Sequence, residues 1–566
     1  MFRDSKLMLV VAVAVGLCAP LLHLEWFSGH EAYMYVLRTI EWAEELRAGE
    51  LYPRWCPDFY GGYGLAFFQY HGPVLYGTAG LLAATFFDAF SALKVCVVVC
   101  SVLSGAGVFA LVYGETRDRN GALFGALGYL ASPYRNGNLY ARGDLAEFCC
   151  IGLLPVVIAL YRAAAREAWS RRARQLAVTA AVVHALMIMT HPVLGLWGTL
   201  LVGLVVLGSV VGLWARGLWR RAVPLVLAIA CAPGLAAVYV VPAIAYRGLT
   251  HTKDMIVGFY KPQDQWIPFS ALFNEFQLFW PNFLSIGYLV LAALVACALV
   301  LIVNYREGRA VLGWVALTVF FVGLAMPHMR WFWAPNLVPL SQFIQFPWRL
   351  MGPASLTSAV ALGIAFSYFR LGDQLKFTIA IVCSTAFLLI ITWPFLTQGE
   401  MLKAGAPPDG DAIRDGLHST TAADEYLPLT VPALPQRPRG DLVMSSHDAT
   451  VQFTGSDGIR HSLGLKAERD NAELTLGLYD FPGWKIRTLS GPTKAKLTAG
   501  ENGLLKVQLP RAGEYRLRVK YGASPAGILG GWLSALSALA LCAIGVRGSR
   551  FWPLRIPRSV SAGGAT

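Results

Sequence analysis

The stretch Leu7–Phe27, with the sequence LMLVVAVAVGLCAPLLHLEWF, decides the class of this protein. A helix of about 20 apolar residues is long enough to cross the hydrocarbon core of a bilayer. The stretch is longer than the apolar core of a cleaved signal peptide, and no A-x-A site follows it. We therefore interpret it as a retained membrane helix.

Apolar runs of this kind recur along the whole chain, which has 566 residues, of which 56% are hydrophobic and only 14% are charged. Soluble domains average about 25% charged residues, so this composition excludes a soluble globular protein. We predict a polytopic α-helical membrane protein with about twelve transmembrane helices. Their approximate bounds are 7–27, 92–113, 121–134, 148–163, 176–190, 194–214, 222–244, 285–304, 310–325, 351–369, 377–395 and 525–546.

The basic residues lie in short loops between the apolar runs, which explains the net charge of +13 without a nucleic-acid partner. With Arg3 and Lys6 in the cytoplasm, every basic loop falls on the same side of the membrane. We therefore expect both termini of this membrane protein to lie in the cytoplasm. This alternation requires that Pro73–Phe90 does not cross, so we assign it to a re-entrant or interfacial helix in a first outer loop, 28–91. A true span there, with two other spans merged, is the alternative.

A smaller region follows the predicted transmembrane domain of residues 1–395. Residues 396–440 are rich in Pro, Gly, Asp and Ala, which is typical of a linker. Residues 441–523 then alternate between apolar and polar side chains and predict a small antiparallel β-sandwich outside the membrane, before a last helix and basic tail at 524–566. The clearest strands are Ala472–Leu478, Leu504–Leu509 and Tyr515–Lys520.

Several common catalytic patterns are missing from the sequence. It has no Walker A loop, no G-x-G-x-x-G after a strand and no H-E-x-x-H, so an ATP-driven pump is not indicated. Most of the ten cysteines lie inside apolar runs, and Cys56 stands alone in the first outer loop. We interpret them as small hydrophobic residues rather than as disulfide partners or metal ligands.

An acidic residue, Glu31, follows His30 just past the first apolar run. Carboxylates are costly to place near hydrocarbon, so an acid at this position is a functional-site hypothesis by default. The alternative is structural: Glu31 could simply begin an amphipathic helix over 31–48, since acids are favoured in the first turn.

A second charged patch contains Arg142, Asp144 and Glu147. The two acids are three residues apart and share one face of a helix. Asp144 could be no more than the N-cap of a helix that starts near Leu145. Arg142 could pair with these carboxylates, or it could bind a phosphate as a bidentate donor.

Two further polar residues lie at the ends of predicted helices. His191 precedes Pro192, whose ring breaks the helix there, and the imidazole is either a satisfied core residue or a group that faces a cavity. Arg349 opens a helix after Phe346 and Pro347. It is either an anchor that reaches the membrane interface or a clamp for a phosphate.

A set of short stretches is shared with known membrane proteins. The stretches are Gly29–Glu31, Tyr52–Asp58 with Gly61–Gly64, Arg142–Glu147, Thr190–Pro192, Gln345–Arg349, Glu425–Pro428 and Phe481–Trp484. In these stretches the chain resembles bacterial integral-membrane glycosyltransferases of the GT-C superfamily and, more narrowly, the multi-span family named 6-pyruvoyl-tetrahydropterin synthase-related. The name is not to be taken literally, since the sequence has no histidine triad with the spacing of a zinc site.

The resemblance implies inverting transfer of a sugar from a polyprenyl-phosphate donor to a glycan, lipid or protein acceptor outside the cytoplasm. It makes Glu31 the candidate catalytic base, at a place where the family pattern has Asp. No cofactor is certain, although Asp144 and Glu147 could hold Mg²⁺ or Mn²⁺. A lipid-linked glycan transporter and an envelope-assembly scaffold without catalysis are the alternatives. The candidate substrate-binding residues are His30, Arg54, Asp58, Arg142, Asp144, Glu147, His191 and Arg349.

Overall fold

A computed structural model of the chain describes residues 4–23, 31–168, 170–256, 261–273, 286–303, 305–334, 343–397 and 424–546. Within these ranges the protein is mostly helical, with a small antiparallel β region before the last helix. His30, one of the predicted substrate-binding residues, lies outside the described residues, as does most of the predicted linker.

The helices are numbered in chain order. They are α1 (Ser5–Gly16), α2 (Ala19–His23), α3 (Ala32–Arg47), α4 (Pro73–Thr85), α5 (Ala89–Thr116), α6 (Arg119–Leu130), α7 (Pro133–Gly137), α8 (Leu145–Arg166), α9 (Arg171–Ile188), α10 (Pro192–Ala215), α11 (Trp219–Leu235), α12 (Ala237–Ala245), α13 (Gly287–Val303), α14 (Tyr305–Leu324), α15 (Met351–Tyr368), α16 (Asp373–Thr397) and α17 (Pro525–Val546).

Among the described residues, five helices are long and apolar enough to cross a membrane: α5, α8, α10, α17 and α15 with the turn that precedes it. Helices α11 and α12 are bent by 55° and make a sixth if they are counted as one span. Shorter apolar helices include α1, α4 and α13. The number of about twelve spans therefore stays a prediction.

The first predicted span, 7–27, is not one continuous helix. It contains α1 and α2, which are separated after Gly16. Pro20 explains the break, because its nitrogen has no hydrogen to donate to the carbonyl four residues earlier. The apolar segment Pro73–Phe90 contains α4, whose 13 residues rise about 20 Å and fall short of the roughly 30 Å hydrocarbon core. Helix α4 packs against α3.

The helices approach each other closely where glycines face one another. A side chain at Gly363 would lie 2.8 Å from the carbonyl oxygen of Gly121 and 2.9 Å from the Cα of Gly125. Helices α6 and α15 therefore pack backbone against backbone, as small residues allow in membrane helices. Helix α5 packs in the same bundle against α8.

The β region consists of two four-stranded antiparallel sheets, with strand orders β1-β4-β7-β6 and β2-β3-β8-β5. Side chains such as Leu463, Leu476, Val507 and Leu517 from both sheets form one buried apolar cluster. The three strands that we singled out in the sequence are present. The strands are β1 (Val443–His447), β2 (Ala449–Asp457), β3 (Arg460–Ala467), β4 (Ala472–Tyr479), β5 (Trp484–Ser490), β6 (Lys496–Ala499), β7 (Leu504–Leu509) and β8 (Gly513–Tyr521).

The β region packs on the loop between α3 and α4. The buried ring of Trp55 lies edge-on to Trp484, with 5.1 Å between ring centroids, and 4.8 Å from the ring of Tyr521. The backbone N–H of Tyr479 donates to the carbonyl of Tyr63 at 3.1 Å. The aromatic residues of this loop thus join the helical part of the chain to the β region.

Candidate functional site

Six ionisable side chains meet where the start of α3, the start of α8, the start of α10 and the turn before α15 approach one another. We call this set the charged cluster. Its members are Glu31, Arg142, Asp144, Glu147, His191 and Arg349.

A sharp change of backbone direction before α8 places the second charged patch. Residues 138–142 form a π-helical turn that ends at Gly143, whose φ of +67° is in the left-handed region. A Cβ at Gly143 would lie 2.7 Å from the nitrogen of Ala32, so only glycine permits this approach of α3. The backbone N–H of Glu31 consequently donates to the carbonyl of Arg142 at 2.8 Å.

Two arginines hold the two deeper carboxylates. Arg142 contacts Asp144 and Glu147, with 3.0 Å between nitrogen and oxygen in each pair. Arg349 lies 3.1 Å from Glu147 through its Nε and 4.0 Å from Asp144. The guanidinium of Arg142 also lies 4.7 Å from the ring centroid of Trp348. All four charged side chains are buried, so removal of any one of them would leave an uncompensated buried charge.

Neutral side chains satisfy the remaining oxygens of these two acids. The hydroxyl of Tyr35 donates to Asp144 at 2.7 Å, and the Asp144 side chain also caps α8 by accepting the N–H of Glu147 at 3.0 Å. Asn138 donates to Glu147 at 2.9 Å, and Tyr134 donates to the same oxygen. Asp144 and Glu147 therefore have little spare capacity to accept a proton or a ligand.

Glu31 is in a different position from the other two acids. Its side chain is 35% exposed, and its nearest cationic partner, Arg142, is 4.0 Å away. Burial of the carboxylate by surrounding protein atoms and the nearby charge of Asp144 raise its pKa to about 7. Burial would also raise the pKa of Asp144, but Arg142 foremost, together with Arg349, outweighs it and holds that pKa well below its ordinary value. Glu31 is therefore the acid of the cluster that is suited to exchange a proton near neutral pH.

His191 lies beside Asp144 in the cluster. Its Nδ1 accepts the backbone N–H of Leu194 at 3.0 Å and so caps α10. The neutral ring must then carry its proton on Nε2, which lies 3.8 Å from Asp144. Burial lowers the pKa of His191 to about 4, so the ring is neutral at pH 7.

The donor atoms of Asp144, Glu147 and His191 lie within 4.8 Å of one another, a spacing that could hold a metal ion. The chemistry of the set does not fit a divalent cation. Nε2 of His191 is protonated and has no lone pair to offer, and the arginines already bind both carboxylates. As arranged, these residues serve ion pairing rather than metal binding.

An apolar cleft of about 430 Å³ opens beside the charged cluster. Leu196 of α10 and Val240 of α12 line it, together with Pro192, the residue after His191. Gln345 also lines the cleft and accepts a hydrogen bond from Arg349 at 2.9 Å. The φ of Gln345 is +60°, an unusual backbone conformation that is often retained at functional sites. The cleft thus reaches the cluster at Gln345 and at His191–Pro192.

Two other predicted site residues lie outside the charged cluster. Arg54 is buried, donates to the carbonyl of Val238 at 3.4 Å and lies 4.7 Å from the ring of Tyr52. Asp58 acts electrostatically on Glu41 and Arg439. Arg54 therefore lies beside α12, and Asp58 lies near α3 and Arg439.

Sequence reasoning missed several members of the site. Tyr35 could have been found, since it lies four residues after Glu31 and thus on the same face of the predicted helix. Tyr134 precedes the π-helical turn and Asn138 begins it, and no sequence pattern predicted that turn. Gln345 belongs to the stretch Gln345–Arg349 that carries the resemblance, but it was assigned no role, and only its backbone conformation distinguishes it.

Residues 68–404 match the family model described as "6-pyruvoyl-tetrahydropterin synthase related domain; membrane protein". The chain belongs to this family. The match spans more than half of the sequence and confirms both the predicted family and the membrane character of the protein. A comparison with curated proteins found no match.

Solved structures similar to this member of the 6-pyruvoyl-tetrahydropterin synthase-related family include three membrane-associated systems at low identity. The arabinofuranosyltransferase AftD from Mycobacteria is 16% identical with a TM-score of 0.44, over 70% of this chain and 27% of AftD. The oligosaccharyltransferase AglB from Archaeoglobus fulgidus, with an inhibitory peptide and a dolichol-phosphate, is 16% identical with a TM-score of 0.41, over 76% of this chain and 61% of AglB.

ArnT from Cupriavidus metallidurans, bound to undecaprenyl phosphate, is 15% identical with a TM-score of 0.37, over 73% of this chain and 75% of ArnT. The chain thus spans less than two thirds of the length of AftD and AglB. The TM-score of each of these matches is below 0.5.

Proposed function

We propose that this protein is a membrane glycosyltransferase that moves a sugar from a polyprenyl-phosphate donor to an acceptor outside the cytoplasm. The observation that carries the proposal is the meeting of a charged cluster with an apolar cleft at Gln345, which accepts a hydrogen bond from Arg349, and at Pro192, the residue after His191. A ligand that is anionic at one end and long and apolar behind it matches both parts. A lipid phosphate that carries a sugar has this chemistry.

In this proposal the cleft takes the first isoprene units of the donor. Its lining is mainly apolar, with Leu196 from α10 and Val240 from α12, and it also contains the charged residues Arg247 and Glu425. The phosphate would lie near Arg349, which already reaches the cleft through Gln345. Arginine suits this role because its planar guanidinium binds phosphate oxygens in pairs and remains charged when it is buried.

Glu31 is the proposed catalytic base. Its carboxylate takes the proton of the acceptor hydroxyl while the acceptor oxygen bonds to the anomeric carbon of the sugar. The bond between that carbon and the phosphate oxygen breaks, and the phosphate leaves with the electron pair, so the configuration inverts. Partial exposure and a pKa raised to about 7 make Glu31 the acid of the cluster that can do this.

Asp144 and Glu147 are proposed to hold the arginines rather than to react. Their oxygens are occupied by Arg142, Arg349, Tyr35 and the other donors described above. His191, with its proton on Nε2, can donate to an oxygen of the donor or the acceptor. Charge that develops on the leaving phosphate would be stabilised by these fixed donors.

The finer topology is part of the proposal. We propose about twelve spans in a bacterial inner membrane, with cytoplasmic termini. The two sheets form a β-sandwich on the extracytoplasmic side, where it could bind an acceptor glycan or protein. The packing of Trp55 on Trp484 supports one shared side, because it links the loop after α3 to the β region.

The test is product formation by purified protein in lipid vesicles with a panel of polyprenyl-phosphate sugars. We expect transfer from at least one donor, inversion at the anomeric carbon, inhibition by free polyprenyl phosphate and no loss of rate with EDTA. Movement of a lipid-linked sugar across the vesicle membrane without any product would contradict the proposal and assign the cleft to a transporter.

A further inference from the structure

The outer face of the sheet β2-β3-β8-β5 is strongly basic. Side chains on β3, β5 and β8 alternate, with apolar residues such as Leu517 and Val519 turned to the core and cations turned outward. Lys466 also points outward, but it lies opposite Glu514. We call the remaining outward cations of these three strands the basic face. Its members are Arg460, Lys485, Arg487, Arg516, Arg518 and Lys520.

The strand register brings these cations directly opposite one another. Arg487 pairs with Arg518 across β5 and β8, and Lys520 lies between Lys485 on one side and Arg460 on the other. Like charges directly opposite on a sheet are destabilising. The fold thus retains a repulsion that a bound anion would remove.

Two of the six cations are engaged by the loop that follows α3. Lys520 lies 3.1 Å from Glu50, and Arg460 donates to the carbonyl of Ala48 at 2.6 Å. The other four, Lys485, Arg487, Arg516 and Arg518, have no ion pair within the part of the chain that the structure describes. Lys485, Arg487, Arg516 and Arg518 are exposed.

We propose that the basic face binds a linear anionic polysaccharide. Neighbouring strands are about 4.8 Å apart, and side chains two residues apart on one strand are separated by about 6.7 Å. The four free cations therefore form a flat grid with gaps of about 5–7 Å, which suits a chain that carries an acidic group on each repeating unit. Such a surface is independent of the charged cluster, and its binding does not require glycosyl transfer.

A polysaccharide fits this face better than a lipid surface does. Strand β8 ends at Tyr521, and the apolar helix α17 begins at Pro525. At the end nearest to that helix, Lys520 is paired with Glu50, and the free cation Lys485 lies opposite it on β5. The other free cations are farther along the strands: Arg518 and Arg516 are about 10 Å and 17 Å from Tyr521, and Arg487 lies opposite Arg518. A surface built for lipid headgroups would present most of its free cations at the end next to the membrane helix.

The experiment measures binding of alginate, a linear carboxylated polysaccharide, to the full chain in phosphatidylcholine nanodiscs, with dextran as the neutral counterpart. The test variant is Arg487→Ser with Arg518→Ser. The matched control is Lys494→Ser with Lys496→Ser, two exposed lysines at the edge of the other sheet. We expect the test variant to bind alginate at least about tenfold more weakly, and its log–log salt slope to be shallower by about 1.4 for two lost contacts.

Arg487→Lys with Arg518→Lys preserves the charge and should restore most of the binding, which separates a lost contact from a misfolded domain. The proposal is overturned if alginate does not bind, if the control pair weakens binding as much as the test pair does, or if phosphatidylglycerol vesicles compete for the face while alginate does not. That last result would assign the face to a membrane surface.

Discussion

The carboxylates of Asp144 and Glu31 in the charged cluster have different environments, and this difference suits them to different roles. Asp144 is buried against Arg142 and Tyr35, whereas Glu31 is partly exposed and 4.0 Å from its nearest cation. The first acid stays ionised at any physiological pH, and the second is near its midpoint. When the environments of two neighbouring acids give them different pKa values, the two acids can take different roles in acid–base catalysis.

The pH dependence of transfer follows from the pKa of Glu31, which is raised to about 7. A base is active when it is deprotonated, so the rate should rise with pH, by roughly tenfold between about pH 6 and 8. The charged groups that face Glu31 are Asp144, Arg142, Arg38 and Arg349. The measurement is a single-turnover pH profile with saturating donor, and a flat profile would remove Glu31 from the rate-limiting proton transfer.

Replacing Glu147 tests its role as a partner of the arginines. Glu147→Gln leaves Arg142 and Arg349 short of one buried negative charge, which should cost about 3–5 kcal/mol of stability. Thermal unfolding in detergent measures the loss.

The control for that prediction is Glu473→Gln, since Glu473 pairs with Lys506 at 2.7 Å on the surface of the β region. An exposed ion pair contributes less than about 1 kcal/mol. An equal fall in the unfolding temperature of both variants would contradict the role given to Glu147.

At the scale of single residues, the sequence identified many members of the charged cluster but not the ion pairs and hydrogen bonds between them. Glu31, Arg142, Asp144 and Arg349 could be singled out because charged residues near apolar runs are costly. Asp144 proved to be both a helix cap and a member of the cluster, so the two interpretations of it were not exclusive. Arg54 and Asp58 lie elsewhere, because a loop sequence carries no periodicity that fixes where its side chains point.

Among the secondary-structure elements, the turn before α8 has the largest effect on the geometry of the charged cluster. Gly143 has a φ of +67°, and a side chain there would meet Ala32 of α3. Gly217 has a similar φ of +71° with open space around it. A comparison of alanine substitutions at the two glycines therefore distinguishes the effect of backbone strain from the effect of a steric clash.

We expect Gly217→Ala to lose about 1–2 kcal/mol from strain alone and to keep its transfer rate. Gly143→Ala should lose about 1–3 kcal/mol more from overpacking, and it should slow transfer because the start of α3, with Glu31, must shift. Thermal unfolding and transfer rates measure both effects. Equal behaviour of the two variants would show that the contact with Ala32 does not position Glu31.

Sequence patterns predicted the elements of the β region better than they predicted the membrane helices. Alternating side chains located β4, β7 and β8 to within two residues of the bounds in the structure. Helix boundaries were harder, because uniform apolar runs do not mark their own breaks. The separation of α1 from α2 and the 55° bend between α11 and α12 occur inside stretches that hydropathy treats as continuous.

On the scale of the whole molecule, the cleft between α10 and α12 connects the surface of the helical bundle to the charged cluster. Val240→Trp should narrow it and raise the KM for the lipid donor by about tenfold or more, because the prenyl chain loses its place. The matched control is Val211→Trp, at an exposed position of α10 that does not line the cleft. If both variants raise KM equally, the cleft is not the donor site.

The packing of segments that are far apart in the chain could not be predicted from the sequence. Charge patterning predicted which loops share a side of the membrane, and the structure brings α3, α8, α10 and the turn before α15 together. It could not predict that the β region would pack on Trp55 or that its outer face would place arginines opposite one another. Both depend on strand register and on contacts between segments far apart in the chain.

The measurement that tests the central claim most directly is single-turnover glycosyl transfer by wild type and by Glu31→Gln in the same vesicles. Glu501→Gln, an exposed acid in the β region, is the control. We predict that Glu31→Gln folds and binds donor normally but transfers at least about a hundredfold more slowly, the scale expected for loss of a general base. Transfer at the wild-type rate by Glu31→Gln would contradict the account.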